Sequence, residues 1–237
     1  MLLLAALLPI LAAQPDRYGL PSCEAPHLEF AARQAFVLCH DANRKVPAWT
    51  AYELTPAQLE QPARSRPSRF HSDAILQSPG ATNADYTRSG FHRGHLVPAR
   101  DLANSPQTFV LSNAAPQNPS LNMGRWRQLE NTVRMLAASS DALYIVTGTL
   151  FQAPQPQTIG PNQVGVPTHF YKAILAVQGS RKIMFAVILP NSAHLRQPIS
   201  HFAASVDEIE TLTGLDLFPT LPIVDQQSLE ATATPLP

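Results

Sequence analysis

Apolar positions along the chain fall mostly into short runs broken by turn-forming residues, with few long helical stripes. Residues 34–40 (QAFVLCH) and 49–54 (WTAYEL) are rich in strand formers. The intervening DANRKVP carries Asp, Asn and Pro, so the two runs predict a hairpin. Residues 55–90 are rich in Pro, Ser, Arg and Gly without periodicity. They predict a long surface loop, and such a loop in a compact domain is more often functional than not. Residues 91–98 read as a strand or loop and residues 109–112 (FVLS) as a short strand. Pro116, Asn118 and Pro119 hold off helix until Ser120, a candidate N-cap. Leu121, Trp126, Leu129, Val133 and Leu136 then repeat near helical spacing and predict one helix from about Leu121 to Ala138. Apolar runs at 142–150, 168–177 and 182–189 predict three strands, the last ended by Pro190-Asn191. Residues 205–213 predict a short helix stopped by Gly214. Hairpin links outnumber strand–helix–strand units, so the fold class is α+β with a mostly antiparallel central sheet.

The two ends differ from this body. Residues 1–13 (MLLLAALLPILAA) are apolar and end in small residues, too short to span a bilayer. They predict a signal peptide and hence a periplasmic or secreted protein with no membrane partner. Residues 14–224 are expected to form the working domain, and residues 225–237, rich in Pro, Thr and Ala, a disordered tail. Cys23 and Cys39 are 16 residues apart and could pair in an oxidising compartment, stabilising by roughly 3 kcal/mol in the chain-entropy model.

Net charge is zero and excludes nothing by itself, but its distribution is uneven. Between Arg64 and Arg134 there are nine Arg and no Lys against four acids. From Ser205 to the end there are six acids and no Lys or Arg. The middle of the chain is therefore suited to an anionic partner, and guanidinium forks match phosphate geometry.

Candidate chemistry lies in that basic middle, where residues 90–98 read GFHRGHLVP. In an extended strand Arg93 and His95 share a face. A guanidinium favours the neutral imidazole, and a neutral imidazole can take a proton near pH 7. The pair suits an anionic substrate that Arg93 holds while His95 acts as base. Gly94 between them permits close backbone approach. In the predicted helix, Asn122 and Glu130 are eight residues apart. On a regular helix that is a rotation of about 80° and a rise of about 12 Å. Both cannot grip one ion directly, but Asn122 could ligate a hydrated Mg²⁺ whose water Glu130 reaches. The plain alternative is a capping Asn and a solvated Glu.

These residues resemble the hallmarks of the DNA/RNA non-specific endonuclease family, of the ββα-metal (His-Me finger) superfamily. The family's Asp-Arg-Gly-His block is similar to His92-Arg93-Gly94-His95-Leu96-Val97-Pro98. Its metal helix is similar to Leu111-Ser112-Asn113-Ala114-Ala115-Pro116-Gln117 followed by Leu121-Asn122-Met123-Gly124, Trp126, Leu129 and Glu130. Two flanking blocks, 47–54 (PAWTAYEL) and 206–216, add to the likeness, which covers about residues 25–220.

The resemblance implies a divalent-metal-dependent, sequence-nonspecific endonuclease of DNA and RNA. It implies His95 as the general base, Asn122 as the direct ligand of Mg²⁺ (with Mn²⁺ the alternative), and Glu130 holding a water of that ion. Asn113 would organise the site near His95, and Arg93 would clamp phosphate. A further phosphate-binding Arg is expected among Arg64, Arg66 and Arg69. Homodimers are common in the family. One position departs: His92 stands where the family has Asp, which removes a negative charge beside the metal. The rival readings are a catalytically weakened nucleic-acid-binding relative and a hydrolase of another phosphodiester.

Overall fold

The structure is a computed structural model and describes residues 15–61, 67–102, 105–152 and 156–237. The expected signal segment and two of the Arg candidates, Arg64 and Arg66, lie outside the described residues. Strands β1 (Leu28–Ala32), β2 (Val37–Asp41) and β3 (Val46–Leu54) lead the chain, and two short strands, β4 (His92–His95) and β5 (Ala114–Gln117), follow the long connection. Then come β6 (Ala142–Leu150), the two-residue strands β7 (Thr158–Ile159) and β8 (Val164–Gly165), β9 (His169–Gln178), β10 (Arg181–Pro190) and β11 (Ala203–Ala204). Seven strands form one sheet in the order β1-β2-β3-β6-β9-β10-β11, every pair antiparallel.

The predicted hairpin is present, with Val37 opposite Ala51 and a bulge at Cys39/His40. Strand β1 was not expected: its sequence, LEFAA, is half-exposed at the sheet edge and lacks clear alternation. All nine residues of β6 are buried on both faces, so its sequence lacks the apolar–polar alternation of a half-exposed strand. Alternate residues feed two cores. Leu143 and Ile145 join Tyr52, Trp126, Leu129 and Val133 on one face. Tyr144 and Val146 join Trp49, Tyr171, Val206, Ile209 and Phe218 on the other. Cys23 and Cys39 form a disulfide, with Cα atoms 5.8 Å apart, that ties the N-terminal segment to β2.

Three short helices lie on the first face: α1 (Pro56–Leu59), α2 (Asn83–Tyr86) and α3 (Pro119–Leu121). The longer α4 (Arg127–Ala138) follows α3 after a π turn at Asn122–Trp126. On the second face, α5 (Val206–Thr213) packs Val206 and Ile209 against the sheet. Its N-cap is Ser205, whose Oγ accepts from Glu208 N–H, and Gly214 ends it at φ 72° in the left-handed region, the stop that the sequence predicted.

Four expectations are corrected. Residues 109–112 do not form a strand; they run into a 3₁₀ turn at Leu111–Asn113, because the Asn113 side chain bonds backbone groups that a sheet would otherwise pair. The helix beginning near Leu121 is not continuous, since Gly124 has φ −105° and ψ −106° and breaks it. Its N-cap is Asn118, which accepts from Ser120 N–H, so Pro119 occupies the first turn where its missing N–H costs nothing. The C-terminal segment is not disordered: Ile223–Leu229 form helix α6, Leu229 packs on the second core, and Leu236 is buried. Composition alone concealed this because the anchoring contacts are tertiary. No helix among the described residues is long and apolar enough to cross a membrane.

Candidate active site

The site is built on the two-stranded unit β4–β5 and the helix that follows it. The strands pair antiparallel, with His92 opposite Gln117 and His95 opposite Ala114. Gly94 is required here: a Cβ on it would fall 2.2 Å from Gln117 Oε1 and 2.6 Å from Gln117 Cβ. The close approach anticipated at Gly94 is therefore to the side chain of the paired strand.

Two contacts dock the helix onto β4. Trp126 Nε1 donates to the His95 carbonyl at 3.3 Å, and the Asn122 side-chain nitrogen lies 3.0 Å from His92 Nδ1. With Asn122 donating, His92 Nδ1 is the acceptor and its ring is the neutral Nε2–H tautomer. The other branch of the amide, its oxygen, is then left for a ligand. His92 thus keeps the acceptor that a carboxylate would offer at this position and drops the negative charge. The π turn carries Asn122 into this contact, a common use of such turns at functional sites. It also voids the regular-helix relation between Asn122 and Glu130.

The His95 ring is half-buried between two aromatic rings, Phe70 at 4.7 Å and Phe109 at 4.8 Å between centroids. Arg93 stacks on Tyr86 at 4.9 Å and donates to the Asn83 carbonyl at 3.1 Å. Its buried Nε has no partner among the described residues. Arg93, Arg69, Ser68, Asn83, Phe70 and Phe109 line a cleft of about 450 Å³. Of the three Arg candidates in the long connection, Arg69 is the one the described residues place beside Arg93. The sequence did not point to a second basic groove, lined by Arg125, Arg127 and His194 along the π turn.

Asn113 lies behind the site. It is fully buried, and its Oδ1 accepts from Val97 N–H while its Nδ2 donates to the carbonyls of Val97 and Thr108, each at 3.0 Å. Leu96 N–H donates to its carbonyl at 3.0 Å as well. Three of these bonds fix the chain immediately after His95 and the fourth ties it to Thr108, so Asn113 holds the segment that carries the His95 ring. Asn191 is a clamp that the sequence reading took only for a strand terminator. Its side chain accepts from Asn118 N–H at 2.7 Å and donates to the carbonyls of Pro116 and Pro167, joining β5 to the start of α3.

Glu130 faces the interior and not open solvent. Burial, and then the nearby Asp101, push its carboxyl above the usual range, while Lys172, Arg134 and Arg100 pull the other way. Asp101 is held by Arg134 at 2.7 Å and by the Tyr52 hydroxyl at 2.8 Å. Lys172, fully buried, donates to Thr147 and sits over the rings of Tyr52 and Trp126. Burial lowers the ammonium's pKa below the usual lysine range. The Glu130 charge therefore belongs to a buried ionic network under α4 that reaches Trp126, and Trp126 in turn holds His95.

Residues 17–223 match the family described as DNA/RNA non-specific endonuclease. The chain is 34% identical over 221 residues to the mitochondrial endonuclease G of Bos taurus, covering 86% of this chain and 73% of that protein. It is 35% identical over 224 residues to nuclease C1 of Cunninghamella echinulata var. echinulata, covering 87% and 89%. A crystal structure of the EndoG/EndoGI complex superposes with a TM-score of 0.79 at 30% identity, over 89% of this chain and 92% of that one. The expected periplasmic or secreted placement is overturned by these relatives, since the matching nucleases of cattle, human and yeast are mitochondrial. A short apolar leader was too generic a signal to carry that placement. With the hallmark residues gathered on one ββα unit, and sequence and fold matching over nearly the whole domain, this chain belongs to the DNA/RNA non-specific endonuclease family.

Proposed function

We propose that phosphodiester hydrolysis in this nuclease is carried by His95 as general base, with Asn122 as the one protein ligand of a divalent ion, Mg²⁺ by preference. The observation that carries the assignment is the pair of contacts, Trp126 to the His95 carbonyl and Asn122 to His92, that seat the helix start on the strand bearing the base. Among the described residues, no group of three His, Cys, Asp or Glu side chains gathers here to cage a metal. A single hard amide oxygen fits Mg²⁺, which keeps most of its waters and asks little of the protein.

When bound, the cation neutralises charge developing on the phosphodiester oxygens. The remaining work falls to side chains of this chain. The phosphate enters the cleft beside Arg93 and Arg69, which fix it by charge-assisted hydrogen bonds. His95, held in orientation by Phe70, Phe109 and the clamp of Asn113, takes a proton from the attacking water. Glu130 and its ionic partners hold the floor beneath Trp126. Recognition through phosphate alone gives little sequence preference and admits both DNA and RNA.

Plasmid nicking and RNA degradation in Mg²⁺, Mn²⁺ and EDTA, with Asn122→Ala alongside, test this reading. EDTA should abolish both activities. Asn122→Ala should lose metal binding by calorimetry together with about 10²-fold or more of its rate. An Asn122→Ala protein that binds Mg²⁺ and cleaves like the parent would overturn the ligand assignment.

A further inference from the structure

On the sheet face opposite α4, three side chains of the acidic C-terminal segment converge. Carboxylate oxygens of Asp207 and Glu210 on α5 and of Glu230 at the end of α6 all lie within 4.8 Å of one another. The backbone locks them together. Asp207 N–H donates to the Glu230 carbonyl at 3.1 Å, and Leu217 N–H donates to Glu210 Oε1 at 2.8 Å. Glu230 is only 5% exposed, and its Oε1 is enclosed with no hydrogen-bond partner among the described residues. The segment from Ser205 onward supplies no Lys or Arg to answer these charges, and Lys182, which does reach the segment, is engaged by Asp225 at 2.6 Å. Burying a carboxylate without a donor or a cation is costly.

We propose that Asp207, Glu210 and Glu230 form a Ca²⁺ site, separate from the nuclease centre, that pins α6 to α5. The donors are all hard oxygens. Ca²⁺ accepts six to eight of them in flexible geometry at about 2.3–2.6 Å, so oxygens across its shell stand up to about 5 Å apart. The trio, bounded by 4.8 Å, falls within that span. Mg²⁺ demands near-ideal octahedral geometry and gives up its waters reluctantly, so three carboxylates on backbone-fixed elements suit it less. Asp207 is exposed, which leaves an entry path and room for completing waters. The location is independent of the active site, because α5 covers the sheet face opposite α4. Burial, with Glu210, Asp216 and Asp207 adding to it, pushes the Glu230 carboxyl up to about 7, an unfavourable charge that a cation would relieve.

Calorimetric Ca²⁺ titration and thermal unfolding in Ca²⁺ or EDTA test the site. An Asn122→Ala background removes the contribution of the nuclease centre. That protein should bind one Ca²⁺ and melt several degrees higher in its presence, with a smaller response to Mg²⁺. Adding Glu230→Gln or Asp207→Asn should weaken Ca²⁺ binding by about tenfold or more, since affinity follows ligand charge. Glu230→Gln should melt in EDTA at or above its parent, because repulsion is relieved, so a lost Ca²⁺ response would not reflect misfolding. Absence of any Ca²⁺ response at millimolar concentration, a response that survives both substitutions, or an equal response to Mg²⁺ would overturn the proposal.

Discussion

Replacing Asn113 by Ala separates a residue that positions the base from one that takes part in the chemistry. The change removes three buried side-chain hydrogen bonds, each 3.0 Å long, from Val97 and Thr108. A typical net contribution is about 1 kcal/mol per bond, and a buried backbone group that loses its partner costs about 1–3 kcal/mol. With some relaxation, a loss of about 3–5 kcal/mol is expected, a large share of the stability of a domain this size. Urea unfolding at pH 7.5 would measure it through the shift in midpoint at constant slope. The segment released is the one directly after His95, so the folded fraction should also cleave more slowly. The loss should be about 10- to 100-fold, the scale of a displacement near 1 Å. A stability loss under about 1 kcal/mol would refute the clamp. So would a rate loss beyond about 10³-fold in a protein of unchanged stability, since that pattern marks direct participation in catalysis.

Other outcomes are equally specific. His92→Asp keeps an acceptor for the Asn122 amide and adds a charge, so Mg²⁺ should bind more tightly, by about tenfold, with activity equal to or above the parent. A calorimetric Kd that is unchanged or weaker would show that the imidazole has a role a carboxylate cannot fill. His40 is 1% exposed, and burial lowers its pKa below 6.5 against the pull of Asp41, Glu29 and Asp73. The unfolded chain therefore takes up a proton near pH 6.5 before the folded one does, and stability is lost as pH falls through the His40 titration. His40→Leu should flatten the decline in unfolding free energy between about pH 7 and pH 5.5, and an unaltered slope would assign that decline to other groups.

What could be read from the sequence was what repeats locally or carries a motif. The hairpin of β2 and β3, the strand β6 and helix α5 announce themselves by apolar pattern and capping residues. Arg93, His95 and Asn122 are marked by motif, and the fold brings their elements together. The rest depends on contacts distant in sequence. The Asn122 contact to His92 spans 30 residues, and nothing local to either side chain foretells it. The π turn was hidden because its apolar spacing still passes for α-helical. Glu130 could be taken for a solvated charge because Asp101 and Lys172, its buried neighbours, lie far off in the chain. Lys172, in the middle of an otherwise apolar strand, was the one available sign of that network.

The most direct test of the central claim is single-turnover cleavage of supercoiled plasmid at saturating Mg²⁺ by the parent and by His95→Ala. Trp126 docks the helix on the backbone carbonyl of His95, a group that alanine keeps. The variant should therefore fold and bind metal normally while losing about 10²- to 10⁴-fold in the cleavage step. A variant cleaving at the parental rate would contradict the account.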